Sequence, residues 1–176
     1  MRDEGGQRRN PALDGLRAVA VAAVVVYHAA PTLLPGGFLG VDLFFVLSGY
    51  LITGLLLAEH SATGHISLGS FWRRRVRRLW PLAWCVLAAV ALLSLSGVWG
   101  ADRQRTLPAE LAAALAQVAN WSQLRHGGYV AGLAAPSPIR HFWSLATEEQ
   151  FYVVWPPLLA VVASRQRPAA FVRGTG

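Results

Sequence analysis

The sequence predicts an all-α fold, a polytopic transmembrane helical bundle with about four full spans and one re-entrant or interfacial helix. First, 54% of the residues are hydrophobic and only 14% are charged. Second, several apolar runs reach the roughly 20 residues that a helix needs to cross a hydrocarbon core of about 30 Å. Third, arginines cluster at the ends of these runs, as they do at the borders of membrane helices. An integral membrane protein is therefore expected.

The predicted spans follow one another closely along the chain. Four strong apolar runs cover residues 16–34, 36–58, 79–100 and 142–163. A weaker segment, residues 107–124, contains Glu110, Gln117, Asn120 and Gln123. The first run has no clear cleavage site and another run follows almost at once, so it is expected to remain as an anchor rather than be removed as a signal peptide.

The charges give the expected orientation. The formal charge is +7, with sixteen arginines and no lysine. Three arginine groups precede the first span, separate the second from the third and follow the last, so the positive-inside rule puts all three, and the N-terminus, in the cytoplasm. The strong spans after residue 78 supply an even number of crossings, which leaves the weak segment re-entrant or interfacial. Because the arginines cluster at the ends of the apolar runs rather than along one soluble face, nucleic-acid binding is not expected.

Ionisable residues inside the apolar runs are the first site candidates, because such groups are costly in a bilayer. His28 lies seven residues before Pro35 and Asp42 seven residues after it. In an antiparallel hairpin with its turn at Pro35, both would lie about 10 Å from the turn at 1.5 Å per residue. A carboxylate there could orient the imidazole and prepare it as a general base. A histidine that is satisfied by a neighbouring helix, or an Asp that bonds two helices, is the alternative.

Two adjacent carboxylates, Glu148 and Glu149, interrupt the last span. Neighbours on a helix point about 100° apart, so they cannot both face one atom and should have different partners. A purely structural ion pair is the alternative. Cys85 is the only cysteine, so neither an intrachain disulfide nor a cysteine metal cluster is expected.

Five arginines lie in residues 71–81, at a predicted membrane border. They are either a topology signal that contacts anionic lipid headgroups or a clamp for phosphate, which guanidinium groups bind in a bidentate way. Arg17 lies eleven residues before His28, which places it on nearly the same helix face about 16 Å away.

Together these motifs resemble the multispan membrane acyltransferases called acyltransferase family 3, which O-acylate sugars of the bacterial envelope. The resemblance rests on four ordered blocks: residues 13–18 leading to 27–29, residues 40–51, the arginine cluster running into Pro81, and residues 143–152. It covers most of the chain. It divides the chain into a cytoplasmic tail at 1–12, the N-terminal part of the membrane domain at 13–164, and a truncated polar tail at 165–176.

The resemblance implies transfer of an acyl group, commonly acetyl, from cytoplasmic acyl-CoA to a hydroxyl of an envelope carbohydrate or glycolipid. It implies no metal, and it places the protein in the inner (plasma) membrane. The acceptor stays open among lipopolysaccharide, peptidoglycan, exopolysaccharide, glycolipid and small-molecule hydroxyls. The implied catalytic residues are His28, Asp42, Glu148 and Glu149, and the implied ligands of the coenzyme A phosphates are Arg17, Arg73, Arg75 and Arg78.

The sequence departs from the family in one respect. Members usually have about ten spans, so this chain looks like an N-terminal fragment, and we expect the 176 residues alone to be unstable or inactive. Two alternatives remain: a proton-coupled transporter fragment, since intramembrane His, Asp and Glu can form a proton relay, and a noncatalytic membrane remnant.

Overall fold

A computed structural model describes residues 11–125 and 137–165, and throughout these ranges the regular structure is helical, with no strand. The all-α prediction is confirmed. The elements are α1 (Pro11–Ala29), a 3-10 helix (Pro35–Phe38), α2 (Leu39–Thr63), α3 (Leu68–Ser94), α4 (Ala101–Leu115), α5 (Ala119–Arg125) and α6 (Phe142–Arg165).

Among the described residues, three helical stretches are long and apolar enough to cross a membrane: α1, α2 with the preceding 3-10 helix, and α3. This confirms a multi-pass helical membrane protein. The fourth predicted span coincides with α6, which has 24 residues but is not among the three. The predicted tails fall almost wholly outside the described residues.

The chain divides into two compact units. The first contains α1, the 3-10 helix, α2 and the end of α6 from Leu158. The second contains α3, α4, α5 and α6 as far as Pro157. His28, Asp42 and Arg17 belong to the first unit, and the arginine cluster, Glu148 and Glu149 belong to the second.

In the first unit, two glycines let α2 and the preceding 3-10 helix pack directly against α1. A Cβ at Gly40 would lie 2.5 Å from the carbonyl oxygen of Ala20 and 2.8 Å from Val24 Cγ2. A Cβ at Gly37 would lie 2.8 Å from Tyr27 Cβ and would also meet α1 backbone. Small residues permit this close approach, which drives helix association in membranes.

The second unit is built around one apolar cluster. Its buried members come from α3, α4, α5, α6 and the segment before α6: Leu87, Val90, Leu107, Ala114, Ala119, Ile139 and Ala146. The amide of Gln104 on α4 adds a polar link, because it donates to the carbonyl oxygen of Ser94 at 2.7 Å. The core therefore holds the N-terminal half of α6 against three other helices.

The weak predicted segment forms two helices rather than one. At the end of α4, the Gln117 N–H bonds to the Ala114 carbonyl at 3.1 Å and the Val118 N–H to the Ala113 carbonyl at 2.9 Å. This is the Schellman arrangement, in which the terminating residue adopts a left-handed conformation and is usually glycine. Here the residue is Gln117, with φ 55°, and the chain turns there into α5.

Candidate functional site

The arginine cluster lies on a helix. The predicted third span begins at residue 79, and the helix that contains it, α3, begins earlier, at Leu68. Arg73 and Arg77 form one row at i, i+4 spacing, and Arg74 and Arg78 form an adjacent row. All four side chains are exposed. The helix thus presents two parallel rows of guanidinium groups, which suits an anion with several phosphates.

Arg75 points elsewhere and contacts α6. Its guanidinium carbon lies 4.5 Å from the centre of the Tyr152 ring and 5.5 Å from that of Phe71. It also donates to the Tyr152 hydroxyl at 3.3 Å, and that hydroxyl donates to Glu148 Oε1. Tyr152 is 1% exposed. A buried phenol therefore connects a predicted phosphate ligand to a predicted catalytic carboxylate.

The backbone around Tyr152 is held by a side chain because a proline removes the usual donor. In a continuous helix the N–H of residue 156 would bond to the Tyr152 carbonyl, but Pro156 has no N–H. The indole Nε1 of Trp72 on α3 donates to that carbonyl at 3.0 Å instead. α3 therefore contacts both the backbone and the ring of Tyr152 on α6.

Glu149 has different surroundings from Glu148, as predicted. Its carboxylate lies near the indole of Trp80 and feels the charges of Glu148 and Arg75. No hydrogen bond joins it to Trp80: Glu149 Oε1 and Trp80 Nε1 are both buried and lack a hydrogen-bond partner within the described part of the chain. Glu148 is thus fixed by Tyr152, whereas one oxygen of Glu149 is left unsatisfied.

In the first unit, His28 lies in the last turn of α1 and its ring is exposed. Nδ1 lies 2.8 Å from the Val24 carbonyl oxygen, and a carbonyl can only accept. Nδ1 therefore carries the proton, and Nε2 is the basic nitrogen of the neutral ring. The Tyr27 ring lies edge-on at 5.5 Å and limits the movement of the imidazole.

Asp42 does not lie at the depth of His28, and that prediction is wrong. Gly40 faces Ala20 and Val24 across the hairpin, so Asp42, two residues deeper, lies about level with Ala20. The axial offset between Asp42 and His28 is then about 12 Å. The reason is that α1 ends at Ala29 and the chain reverses well before Pro35.

Arg17 is nearer to Asp42 in level, at about 4.5 Å along the axis. Its Nε is buried and has no hydrogen-bond partner among the described residues. A buried guanidinium nitrogen without an acceptor is expensive. Among the described residues of the first unit, this donor therefore lacks the acceptor that a buried guanidinium needs.

A family comparison bears on these observations. The acyltransferase domain family matches residues 10–172, nearly the whole chain. The chain belongs to this acyltransferase family. No solved structure matches it.

Three bacterial relatives of this chain illustrate the similarity. Peptidoglycan O-acetyltransferase OatA of Listeria monocytogenes is 42% identical over 86% of the chain and 24% of its own length. Putative O-acetyltransferase SAS0844 of Staphylococcus aureus is 43% identical over 88% and 25%. Putative peptidoglycan O-acetyltransferase YrhL of Bacillus subtilis is 41% identical over 92% and 26%. The chain thus spans about a quarter of the length of these relatives.

The sequence analysis did not single out Tyr152 or Trp72, although both make contacts that join α3 to α6 in the second unit. A usable signal for Tyr152 was its i, i+4 spacing from Glu148, which puts the two side chains side by side on a helix. A usable signal for Trp72 was the proline at 156, which requires a substitute donor for the carbonyl four residues earlier. Within residues 11–125 and 137–165, no three His, Cys, Asp or Glu residues are grouped to hold a metal.

Proposed function

We propose that this chain is the acyl-transferring membrane part of an O-acetyltransferase that modifies an envelope carbohydrate. The observation that carries the proposal is the contact of Arg75 with Tyr152 and of Tyr152 with Glu148 in a chain of the acyltransferase family. This contact places α3, the proposed anion-binding helix, beside a carboxylate that is suited to proton transfer. Family membership also favours the enzyme over the proton-coupled transporter. In this proposal the protein lies in the plasma membrane with its N-terminus in the cytoplasm.

The proposed donor is acetyl-CoA, and α3 is its proposed phosphate-binding helix. Arg73 and Arg78 are exposed on separate rows and can each reach a phosphate group, while Arg75 anchors the helix to α6. Arg17 supplies the unsatisfied Nε of the first unit. Guanidinium groups stay charged and bind phosphate oxygens bidentately, so they suit the pyrophosphate and 3′-phosphate of coenzyme A.

The proposed base is His28. With Nδ1 donating to the Val24 carbonyl, Nε2 can remove the proton of an acceptor hydroxyl or attack the thioester carbonyl itself. Direct transfer leaves no label on the protein, whereas an acyl-histidine leaves one that hydroxylamine removes. Asp42, Glu148 and Glu149 stay in the proposal as the carboxylates that orient groups or move protons.

The proposed acceptor is a hydroxyl of the peptidoglycan sugar chain. Support comes from the relatives of Listeria monocytogenes and Bacillus subtilis, whose names specify peptidoglycan. The chemistry matches, because an O-acetyltransferase needs a hydroxyl that a neutral imidazole can deprotonate as the ester forms.

The test is acetyl transfer from radiolabelled acetyl-CoA to peptidoglycan, in membranes of cells that express the natural gene. We expect label in the glycan with the natural protein and a loss of at least about 100-fold with His28→Ala, the scale of a general base. The matched control is His60→Ala, a second helical histidine in the first unit that belongs to no predicted site. Unchanged transfer by His28→Ala would remove His28 from the reaction.

The donor is tested in the same membranes. Arg78→Gln should raise the KM for acetyl-CoA about tenfold, the scale of one charged hydrogen bond, and leave kcat nearly unchanged. Coenzyme A should protect the α3 arginines from phenylglyoxal. An unaltered KM together with no protection of the arginines by coenzyme A would exclude acetyl-CoA as the donor that α3 binds. Label absent from every glycan fraction would support the noncatalytic membrane remnant.

A further inference from the structure

Gln150 follows the carboxylate pair on α6, and its amide is fully used in the second unit. Nε2 donates to the Gln117 carbonyl at 2.8 Å and to Asn120 Oδ1 at 3.0 Å. Oε1 accepts from Asn120 Nδ2 at 3.0 Å and from Trp121 Nε1 at 3.3 Å. An amide has two donor hydrogens and two acceptor sites, so all four are taken by the bend between α4 and α5.

The partner of Gln150 is a bend that cannot be replaced by a regular helix. Gln117 is held at φ 55°, a left-handed conformation that is unfavourable for a residue with a side chain. Its carbonyl points out of the α4 hydrogen-bonding pattern and is taken by Gln150. α6 is thus tied to a rigid feature of α4 and α5 rather than to a flexible loop.

The opposite side of α6 carries the proposed site. Glu148 and Tyr152 lie two residues before and after Gln150, so each points about 200° away from it. That side faces α3, where Arg75 contacts the Tyr152 hydroxyl at 3.3 Å. One face of α6 is therefore fastened by Gln150 while the other presents the Tyr152 and Glu148 groups to Arg75.

We infer that Gln150 is a positioning residue of the transferase: it sets the rotation of α6 so that Tyr152 and Glu148 meet Arg75. This inference rests on the proposed function. Side chains reach about 5–6 Å from a helix axis, so a rotation of about 10° moves the Tyr152 hydroxyl by about 1 Å. The 3.3 Å contact with Arg75 would then exceed hydrogen-bonding distance. A misplacement of about 1 Å reduces a reaction rate about 100-fold.

The kinetic test compares Gln150→Leu, which loses all four hydrogen bonds, with Gln150→Glu, which keeps the acceptor oxygens and loses the donors. In membranes expressing the natural gene, Gln150→Leu should lower kcat about 100-fold per folded molecule, with a change of less than about threefold in the KM for acetyl-CoA. Gln150→Glu should be intermediate. The control is Gln104→Leu, which loses a side-chain hydrogen bond between α4 and α3 and should retain the natural kcat.

A double variant separates positioning from general stability. If Gln150 acts through Tyr152, Gln150→Leu combined with Tyr152→Phe should be no slower than the slower single variant. Multiplied losses, or a normal kcat per folded molecule in Gln150→Leu, would overturn the inference. An inactive natural protein would instead refute the proposed function.

A second readout does not need activity. Cysteines placed at Arg75 and Tyr152, in a Cys85→Ser background, can be joined by a short bismaleimide. Adding Gln150→Leu should slow this crosslinking severalfold, whereas adding Gln104→Leu should not change it. Equal rates with and without Gln150→Leu would show that α6 keeps its rotation without the amide, and the inference would fail.

Discussion

Replacing Trp72 with phenylalanine should destabilise the second unit by removing one hydrogen bond that a proline makes necessary. Trp72 Nε1 donates to the Tyr152 carbonyl at 3.0 Å, and Pro156 supplies no N–H to that carbonyl. An acceptor left without a partner in a part-buried site costs about 1–3 kcal/mol. The smaller phenylalanine ring adds a packing loss, so the single variant alone cannot isolate the hydrogen bond.

A double-variant cycle isolates it. Pro156→Ala restores an N–H that can bond to the Tyr152 carbonyl along the helix, so Trp72→Phe should cost about 1–2 kcal/mol less in that background. Pro156 is fully buried, so Pro156→Ala also leaves a cavity. The free energy that this cavity costs is the same with Trp72 and with Phe at position 72, and it cancels in the cycle. The matched control is Pro157→Ala, whose new N–H reaches the carbonyl of Val153 and should give no coupling with Trp72→Phe.

The free energy of unfolding can be measured by titration with sodium dodecyl sulfate in mixed micelles, followed by far-ultraviolet circular dichroism. Coupling near zero between Trp72→Phe and Pro156→Ala would refute the reasoning, because the indole would then contribute only its packing. Equal coupling with Pro157→Ala would refute it as well, since the effect would come from general softening of α6.

Three further variants can be measured by the same titration. Gly40→Ala should destabilise the first unit by about 1–3 kcal/mol, because its Cβ would lie 2.5 Å from the α1 backbone. The control Gly15→Ala, whose Cβ would have nothing within 4 Å, should be neutral or stabilising by up to about 1 kcal/mol. Similar losses in both variants would contradict the close packing. Gln117→Gly should stabilise by about 1 kcal/mol by relieving the positive φ, and a loss would show that its side chain outweighs the backbone conformation. Arg75→Lys should cost about 1 kcal/mol because lysine cannot stack on Tyr152 as a planar guanidinium does, and an unchanged free energy would mean that the stacking contributes nothing.

The sequence predicted the helices well because length and hydropathy follow directly from the physics of the bilayer. It did not show that the helix of the third span extends back to Leu68, because arginine is polar yet a good helix former, so the helix begins before the apolar run does. It also gave one helix where there are two, since the residue that ends α4 is Gln117 and not the glycine usual at that position.

The geometry around the predicted site residues could be predicted from the sequence only in part, and their roles stay predictions. The different surroundings of Glu148 and Glu149 follow from the 100° of rotation between neighbouring residues of a helix, which can be read directly from the sequence. The level of Asp42 relative to His28 depends instead on where the hairpin reverses, and five residues between Ala29 and Pro35 are enough to shift it. Long-range contacts such as that of Arg75 with Tyr152 need the packing of two helices, which no local pattern specifies.

α6 shows what a hydropathy window leaves out when polar side chains are hydrogen-bonded. A hydropathy window counts the cost of moving each free polar group into hydrocarbon, and on that basis α6 is not among the apolar spans. Yet Glu148 accepts from Tyr152, Gln150 uses all four of its hydrogen-bonding positions, and Thr147 donates to its own helix backbone at 2.9 Å. Groups that are already bonded no longer carry the full transfer cost. Glu148, Gln150 and Thr147 are thus less costly in an apolar environment while these contacts are made, whereas Glu149, whose Oε1 has no partner among the described residues, keeps its cost. The contacts of Glu148 and Gln150 that lower the cost also orient the proposed site.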